Sequence, residues 1–161
     1  MSSEIKVGIA DFNIAKYPKS IMTTGLGSCV GIVLYDEEIK LVGLAHIMLP
    51  DSMKFRKIDE PKKFADLAIP LLINKMIEVG AIKERLKAKI VGGSSMFVLS
   101  NNKGDFDIGT RNVLSVKKIL EICNIPIIAE DVGGNIGRTI IVNSEDGIVH
   151  IRRLGHNNIT I

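Results

Sequence analysis

Two residues in the first third of the chain carry side chains suited to nucleophilic chemistry. Cys29 lies in TTGLGSCV, residues 23–30, and His46 lies in LVGLAHIML, residues 41–49. A free thiol with a pKa of about 8.5 is only slightly ionised at neutral pH. A neighbouring imidazole can take its proton, hold a thiolate–imidazolium pair, and later protonate a leaving group. The question is whether the chain brings the two together.

The run CVGIVLYD is followed by the polar EEIK and then by LVGLAHIML. Two β-rich apolar runs around a short charged segment read as a hairpin. Both are apolar at nearly every position, which predicts strands covered on both faces. With the tip at Glu37 and Glu38, Asp36 faces Ile39 and Cys29 faces His46. Directly opposite residues share a face, with Cβ atoms about 4.5–5.5 Å apart. A one-residue slip of one strand would put them on opposite faces. The same residues also fit a packed core, since a lone cysteine in an apolar strand commonly behaves as a small hydrophobe.

The glycines of GLGS allow a sharp turn just before Cys29. Amides around Gly27, Ser28 and Cys29 are placed to face a developing oxyanion. GLGS is not a phosphate-binding loop, because no Lys-Ser or Lys-Thr follows it, and VGGNIG is followed by a strand where a dinucleotide site needs a helix. GGSSMF and VGGNIGR read as turns that can also shape a substrate groove. Cys123, near the end of a predicted helix, reads as a core residue. His150 and His156 read as surface or strand-filling residues.

The elements that position the pair follow from the rest of the chain. Strands are expected over Ile5 to Ala10, Ser20 to Thr24, the hairpin, Lys89 to Val91, IPIIAED, RTIIVN and GIVHIRRL. One helix begins at Pro61 and ends at Gly80, with Phe64, Leu67, Ala68, Leu71, Leu72 and Met76 on its apolar face. Pro70 within it predicts a kink or a split into two helices. A second helix spans Gly109 to Cys123. Hairpins outnumber β-α-β units, so the fold class is α/β: a layered sandwich with a mixed, mainly antiparallel sheet and two main helices.

The chain has 161 residues, 46% hydrophobic and 4% aromatic, with a net charge of +3. That length fits one domain over residues 1–161, with a core of Ile, Val, Leu, Ala and Met. The charge is too mild to argue for nucleic acid. Basic residues do gather at Lys54 to Lys63 and Lys83 to Lys89, as a solvated face or as a docking surface for an acidic partner. Two cysteines make no disulfide framework and no metal spacing. No signal peptide is expected, and no apolar run approaches the ~20 residues that cross a bilayer. These features predict a soluble cytoplasmic protein with free thiols.

TTGLGSCVGIVLYD followed by GLAHIMLPDS resembles the CheD family of chemoreceptor glutamine deamidases. The resemblance continues through KFADLAIPLLINKMIEVGA, KAKIVGGSSMF, IGTRNV and IAEDVGGNIGRT, from about Ile5 to Leu154. It implies hydrolysis of selected glutamine side chains on chemoreceptors to glutamate and ammonia, as part of chemotactic adaptation. It implies a layered α/β sandwich similar to the catalytic domain of cytotoxic necrotising factor toxins. It implies a Cys-His-Thr triad: Cys29 as nucleophile, His46 as base, and Thr23, six positions before the cysteine, as the third member, with adjacent Thr24 as the alternative. No metal or cofactor is implied. The implied partners are the chemoreceptor cytoplasmic domain, as substrate, and the CheC phosphatase of the phosphorylated response regulator. Two rival readings stand beside the enzyme. One is a binding module that docks on the phosphatase or receptor; the other is a redox sensor that oxidises Cys29, with Cys123 as resolving partner.

Overall fold

The computed structural model describes residues 3–95 and 107–161. In chain order, the strands among the described residues are β1 (Glu4–Lys6), β2 (Asp11–Lys16), β3 (Ser20–Leu26), β4 (Val30–Asp36), β5 (Leu41–Ile47), β6 (Lys87–Gly92), β7 (Ile127–Val132), β8 (Arg138–Asn143), β9 (Val149–Arg153) and β10 (Ile159–Thr160). The helices are α1 (Ala65–Glu78), between β5 and β6, and α2 (Ile108–Ile122), between β6 and β7. One sheet has the order β1-β3-β8-β9-β10 and the other β2-β5-β4-β6-β7. Both are mixed: β1–β3 and β6–β7 pair in parallel, and the other strand pairs are antiparallel. The α/β class with two helices stands.

Two apolar cores account for the layers. Successive side chains of a strand point to opposite faces. Val30, Ile32 and Leu34 of β4, with Ala45 and Ile47 of β5, pack under Ala68, Ile69, Leu72, Val116 and Leu120 of the helices. Val33, Val42 and Leu44 turn the other way and meet Ile21, Leu26, Ile140, Val142, Val149 and Ile151 of the second sheet. The helices therefore cover one face of the β4–β5 sheet and the second sheet covers the other. This is why both strands are apolar along almost their whole length.

The expected strand at Ile5 to Ala10 is cut short, and a second strand that was not expected begins at Asp11. The first ends at Lys6, the chain turns at Ile9 and Ala10, and β2 follows in the other sheet, paired with β5. DFNIAK has little apolar content for a strand because β2 lies at a sheet edge. The hairpin register also differs from expectation. Asp36 pairs with Leu41, and Gly31, not Cys29, stands opposite His46. The tip holds four residues, with Lys40 at φ 51°. Its base is pinned by buried Asp36, which accepts from Arg85 Nε at 3.0 Å and from the Ile82 amide at 3.1 Å.

The first helix is preceded by a 3₁₀ turn at Pro61–Lys63 and remains one helix with Pro70 inside it. Pro70 lies early in the helix, where it removes a single backbone hydrogen bond. The buried neighbours Ala68, Ile69, Leu72 and Ile73 hold the helix on the sheet. Its inward face is rotated from the expected one: Ala65, Ile69 and Ile73 are buried, while Leu71 is exposed. At Gly43 the helix approaches so closely that a Cβ would lie 2.6 Å from Met76 Sδ.

Candidate active site

At TTGLGSC the chain leaves one sheet and enters the other. A bulge in the β3–β8 pairing lies between Thr23 and Leu26, with Gly25 at φ 72°. Bulges redirect a strand and re-aim its side chains. Thr23 is on the inner side of the first sheet by alternation with Ile21, the bulge turns Leu26 to that side as well, and β4 starts at Val30 in the second sheet. Cys29 sits in the bend between them. It is a free, half-buried thiol packed against the inter-sheet core, the side from which Val33, Val42 and Leu44 also project.

His46 reaches the same layer from β5. Side chains alternate with a period of two, so the slide of the hairpin by two residues leaves Cys29 and His46 on one face. Cys29 stands just before β4, two residues from Gly31, the strand partner of His46. His46 is fully buried (0% exposed) and Thr23 nearly so (2%). The Thr23 hydroxyl lies 2.7 Å from His46 Nδ1 and 2.7 Å from the Val7 carbonyl. Thr24, the alternative third residue, is exposed.

The hydroxyl has one proton and two close partners. A carbonyl only accepts, so that proton goes to Val7, and His46 Nδ1–H must donate to the Thr23 oxygen. Nε2 is then the bare, basic nitrogen. It is buried and has no hydrogen-bond partner among the described residues, Cys29 included. Burial lowers the His46 pKa from its ordinary 6.5 to about 4. Burial also pushes the Cys29 thiol up, opposed in part by its own backbone N–H. Both shifts favour the neutral forms. Both directions oppose the thiolate–imidazolium pair that the two groups can form.

The bend around Cys29 is held by its carbonyl oxygens. Ser94 N–H donates to Gly27 O at 2.8 Å, Asn112 Nδ2 to Ser28 O at 2.9 Å, and Gly93 N–H to Cys29 O at 2.9 Å. Gly92, at φ 115°, passes so near that a Cβ there would lie 2.3 Å from Cys29 O. Only glycine fits both constraints. The Ser28 and Cys29 N–H groups have no acceptor among the described residues. The Gly27 N–H is committed to Gly25 O at 3.1 Å, which removes it from the expected oxyanion donors.

Among the described residues, no group of His, Cys, Asp and Glu is placed to hold a metal ion. Cys123 packs beside α2 against the helix-side core, on the other face of the sheet from Cys29. His150 is exposed on β9, within 3.2 Å of Asn143 Nδ2, and His156 is exposed. Of the basic clusters, Lys62 pairs with Asp11 and Arg85 with Asp36 and Glu38. Lys54, Arg56 and Lys57 face solvent. GGSSMF extends past Ser95, outside the described residues. A cleft of about 310 Å³ lined by Tyr35, Arg85, Lys89 and Asp146 lies at the far end of β4, away from Cys29. The motif reading did not single out Asn112, Ser94 and Val7. Asn112 carried a signal, as a polar residue on the helix face of Val113, Val116 and Leu120.

The fold is a layered α/β one that places a thiol and an imidazole on one side of the same sheet. The family model for CheD chemotactic sensory transduction matches residues 48–153, a stretch that begins just past His46. A relative from Clostridium novyi (strain NT), called a probable chemoreceptor glutamine deamidase CheD, is 59% identical over 152 residues, 94% of each chain. One of the same name from Clostridium acetobutylicum is 57% identical over 152 residues, 94% of this chain and 92% of its own. The chain belongs to the CheD family. The crystal structure of Bacillus licheniformis hypothetical protein YfiH aligns with 74% of this chain and 49% of its own, at 17% identity and a TM-score of 0.49.

Proposed function

We propose that this protein, as one deamidase domain over residues 1–161, hydrolyses glutamine side chains on chemoreceptors to glutamate and ammonia. Cys29 is the nucleophile, His46 the base and Thr23 the residue that orients it. The relatives' names support the substrate and the reaction. The observation that carries the mechanism is the Thr23–His46 hydrogen bond at 2.7 Å, which leaves Nε2 bare on the face shared with Cys29.

His46 Nε2 takes the Cys29 proton as sulfur attacks the carboxamide carbon. The N–H groups of Ser28 and Cys29 donate to the oxyanion of the tetrahedral intermediate. Collapse breaks the C–N bond, and the proton on Nε2 goes to the departing ammonia. The resulting thioester is attacked by water, whose proton returns through Nε2 to the Cys29 sulfur as glutamate leaves. Thr23 keeps Nδ1 protonated and the ring aimed throughout, the part a third residue plays in other triads. The chain's own groups and water complete the cycle.

The substrate is a long helical receptor surface, so the site must meet a protein face. The exposed Lys54, Arg56 and Lys57 are placed to meet acidic residues on it. The protein acts in the cytoplasm, binds the CheC phosphatase of the phosphorylated response regulator, and so links receptor modification to adaptation. No helix among the described residues is long and apolar enough to cross a membrane.

The test is incubation with a receptor cytoplasmic fragment, read as the amide-to-acid mass change in its peptides. The change should appear with the wild-type protein and with Cys123→Ala, and vanish with Cys29→Ala. Undiminished activity in Cys29→Ala would overturn the mechanism.

A further inference from the structure

Asn112 is a fully buried polar residue on the otherwise apolar inner face of α2. Its amide nitrogen donates to Ser28 O at 2.9 Å and to Met48 O at 3.0 Å. The first carbonyl belongs to the peptide that carries the Cys29 N–H. The second lies two residues beyond His46. One side chain therefore ties together the backbone entering the nucleophile and the backbone leaving the base. These bonds use both protons of the amide, and Asn112 Oδ1 is buried without a partner among the described residues. A packing role would be filled better by an apolar side chain, which brings no orphaned acceptor. The two donated bonds are what this residue adds.

The helix that carries it is itself anchored at the site. Asp107 caps α2 by accepting from the Thr110 amide at 2.8 Å. Gly109 lets the first turn pack directly on Gly93 and Ser94, where a Cβ would lie 2.3 Å from Ser94 O. Ser115 Oγ donates to Pro50 O at 2.6 Å. The amide of Asn112 is thus presented from a fixed frame.

We propose that Asn112 is a positioning residue for the deamidation: by holding the Ser28 carbonyl it aims the Cys29 N–H at the oxyanion. In a trans peptide the C=O and the following N–H point in opposite directions. Anchoring Ser28 O toward α2 therefore turns the Cys29 N–H away from α2. That N–H has no acceptor among the described residues. The carbonyls on either side, of Gly27 and Cys29, are held by Ser94 and Gly93, and among the described residues the Ser28 carbonyl between them is held by Asn112. This inference rests on the deamidase reading above and adds a residue to it.

The test compares wild type with Asn112→Leu, which keeps the branching of the side chain and loses both donors. Asn112→Ala replaces it if the leucine variant does not fold. Two rates are measured on each protein. One is deamidation of a receptor cytoplasmic fragment. The other is alkylation of Cys29 by iodoacetamide, located by peptide mass spectrometry. Alkylation is displacement at a saturated carbon and builds no oxyanion, so it reports thiol access and thiolate formation, to which the Cys29 N–H makes only a secondary contribution. Loss of one oxyanion donor lowers kcat by about 10²–10³-fold. The expected result is a fall in kcat of about 10²-fold, with KM little changed and the Cys29 alkylation rate falling far less than kcat. An unchanged kcat, or alkylation falling in step with kcat, would overturn the proposal. Absence of deamidation by the wild-type protein would remove the deamidase reading itself.

Discussion

Thr23 and His46 come from different sheets and meet through a 2.7 Å hydrogen bond in the layer between them. The Thr23 proton is given to Val7 O, so the imidazole must donate from Nδ1 and keep Nε2 bare. This one contact selects the tautomer a general base requires. Thr23→Val, which keeps the shape and loses the hydroxyl, should lower kcat for deamidation by at least about tenfold, given the 10²–10⁴-fold worth of a well-placed base. Thr23→Ser should retain most activity, and Thr24→Ala should be silent. Comparing kcat across the three variants checks the assignment, and a loss in Thr24→Ala with none in Thr23→Val would reverse it.

His46 also sets a pH dependence of stability. In the unfolded chain it binds a proton near 6.5, whereas in the fold it does so only near 4. Between these values the unfolded state holds more protons, so stability falls as pH falls. The contribution is fully present above about 6.5 and is lost on the way down to about 4, at up to about 1.4 kcal/mol per pH unit. Urea unfolding across that window should show a shallower loss in His46→Gln than in wild type. Parallel profiles would contradict a neutral, buried His46.

The hairpin base offers a second stability test. Burial pushes the Asp36 carboxyl up, but hydrogen bonds from Arg85 and the Ile82 amide outweigh that and hold it below its ordinary value. Arg85→Ala leaves a fully buried carboxylate without its main partner, a costly state. Glu38, the other partner of Arg85, has a side chain 70% exposed and contributes little. The Tm should therefore drop clearly in Arg85→Ala and hardly in Glu38→Ala. Equal drops would mean that the buried pair is not the one that matters.

Gly43 sets how closely α1 lies on the sheet. A Cβ at that position would stand 2.6 Å from Met76 Sδ and 2.9 Å from Leu72 Cδ1. Gly43→Val should destabilise by about 1–3 kcal/mol through overpacking. Adding Met76→Ala should recover part of that in a double-mutant cycle. Denaturant midpoints read both, and strictly additive losses would rule out the contact as the cause.

The hairpin register marks what the sequence could reveal of the site. Alternation of apolar residues made the β4–β5 hairpin legible, but tip length was not, and the pairing slid by two residues. Because faces repeat every two residues, the shared face of Cys29 and His46 survived the slide. Thr23 was out of reach of that argument. It sits on a strand of the other sheet, and how two sheets stack depends on residues far apart in the chain; only the family resemblance pointed to it. The second strand, Asp11–Lys16, was missed for a different reason. β2 is an edge strand whose polar residues leave a weak pattern. Asn112 was visible as a polar interruption in an apolar helix face, yet its partners, Ser28 O and Met48 O, are backbone atoms that no motif marks.

The central claim is that deamidation passes through a thioester on Cys29. Hydroxylamine diverts a thioester to a hydroxamate, whereas direct attack of water on the amide offers it no intermediate. Adding it to the reaction with a receptor fragment should convert the modified glutamines partly to hydroxamates, seen as a distinct peptide mass. Cys29→Ala should form neither acid nor hydroxamate. Deamidation without hydroxamate, persisting in Cys29→Ala, would contradict the account.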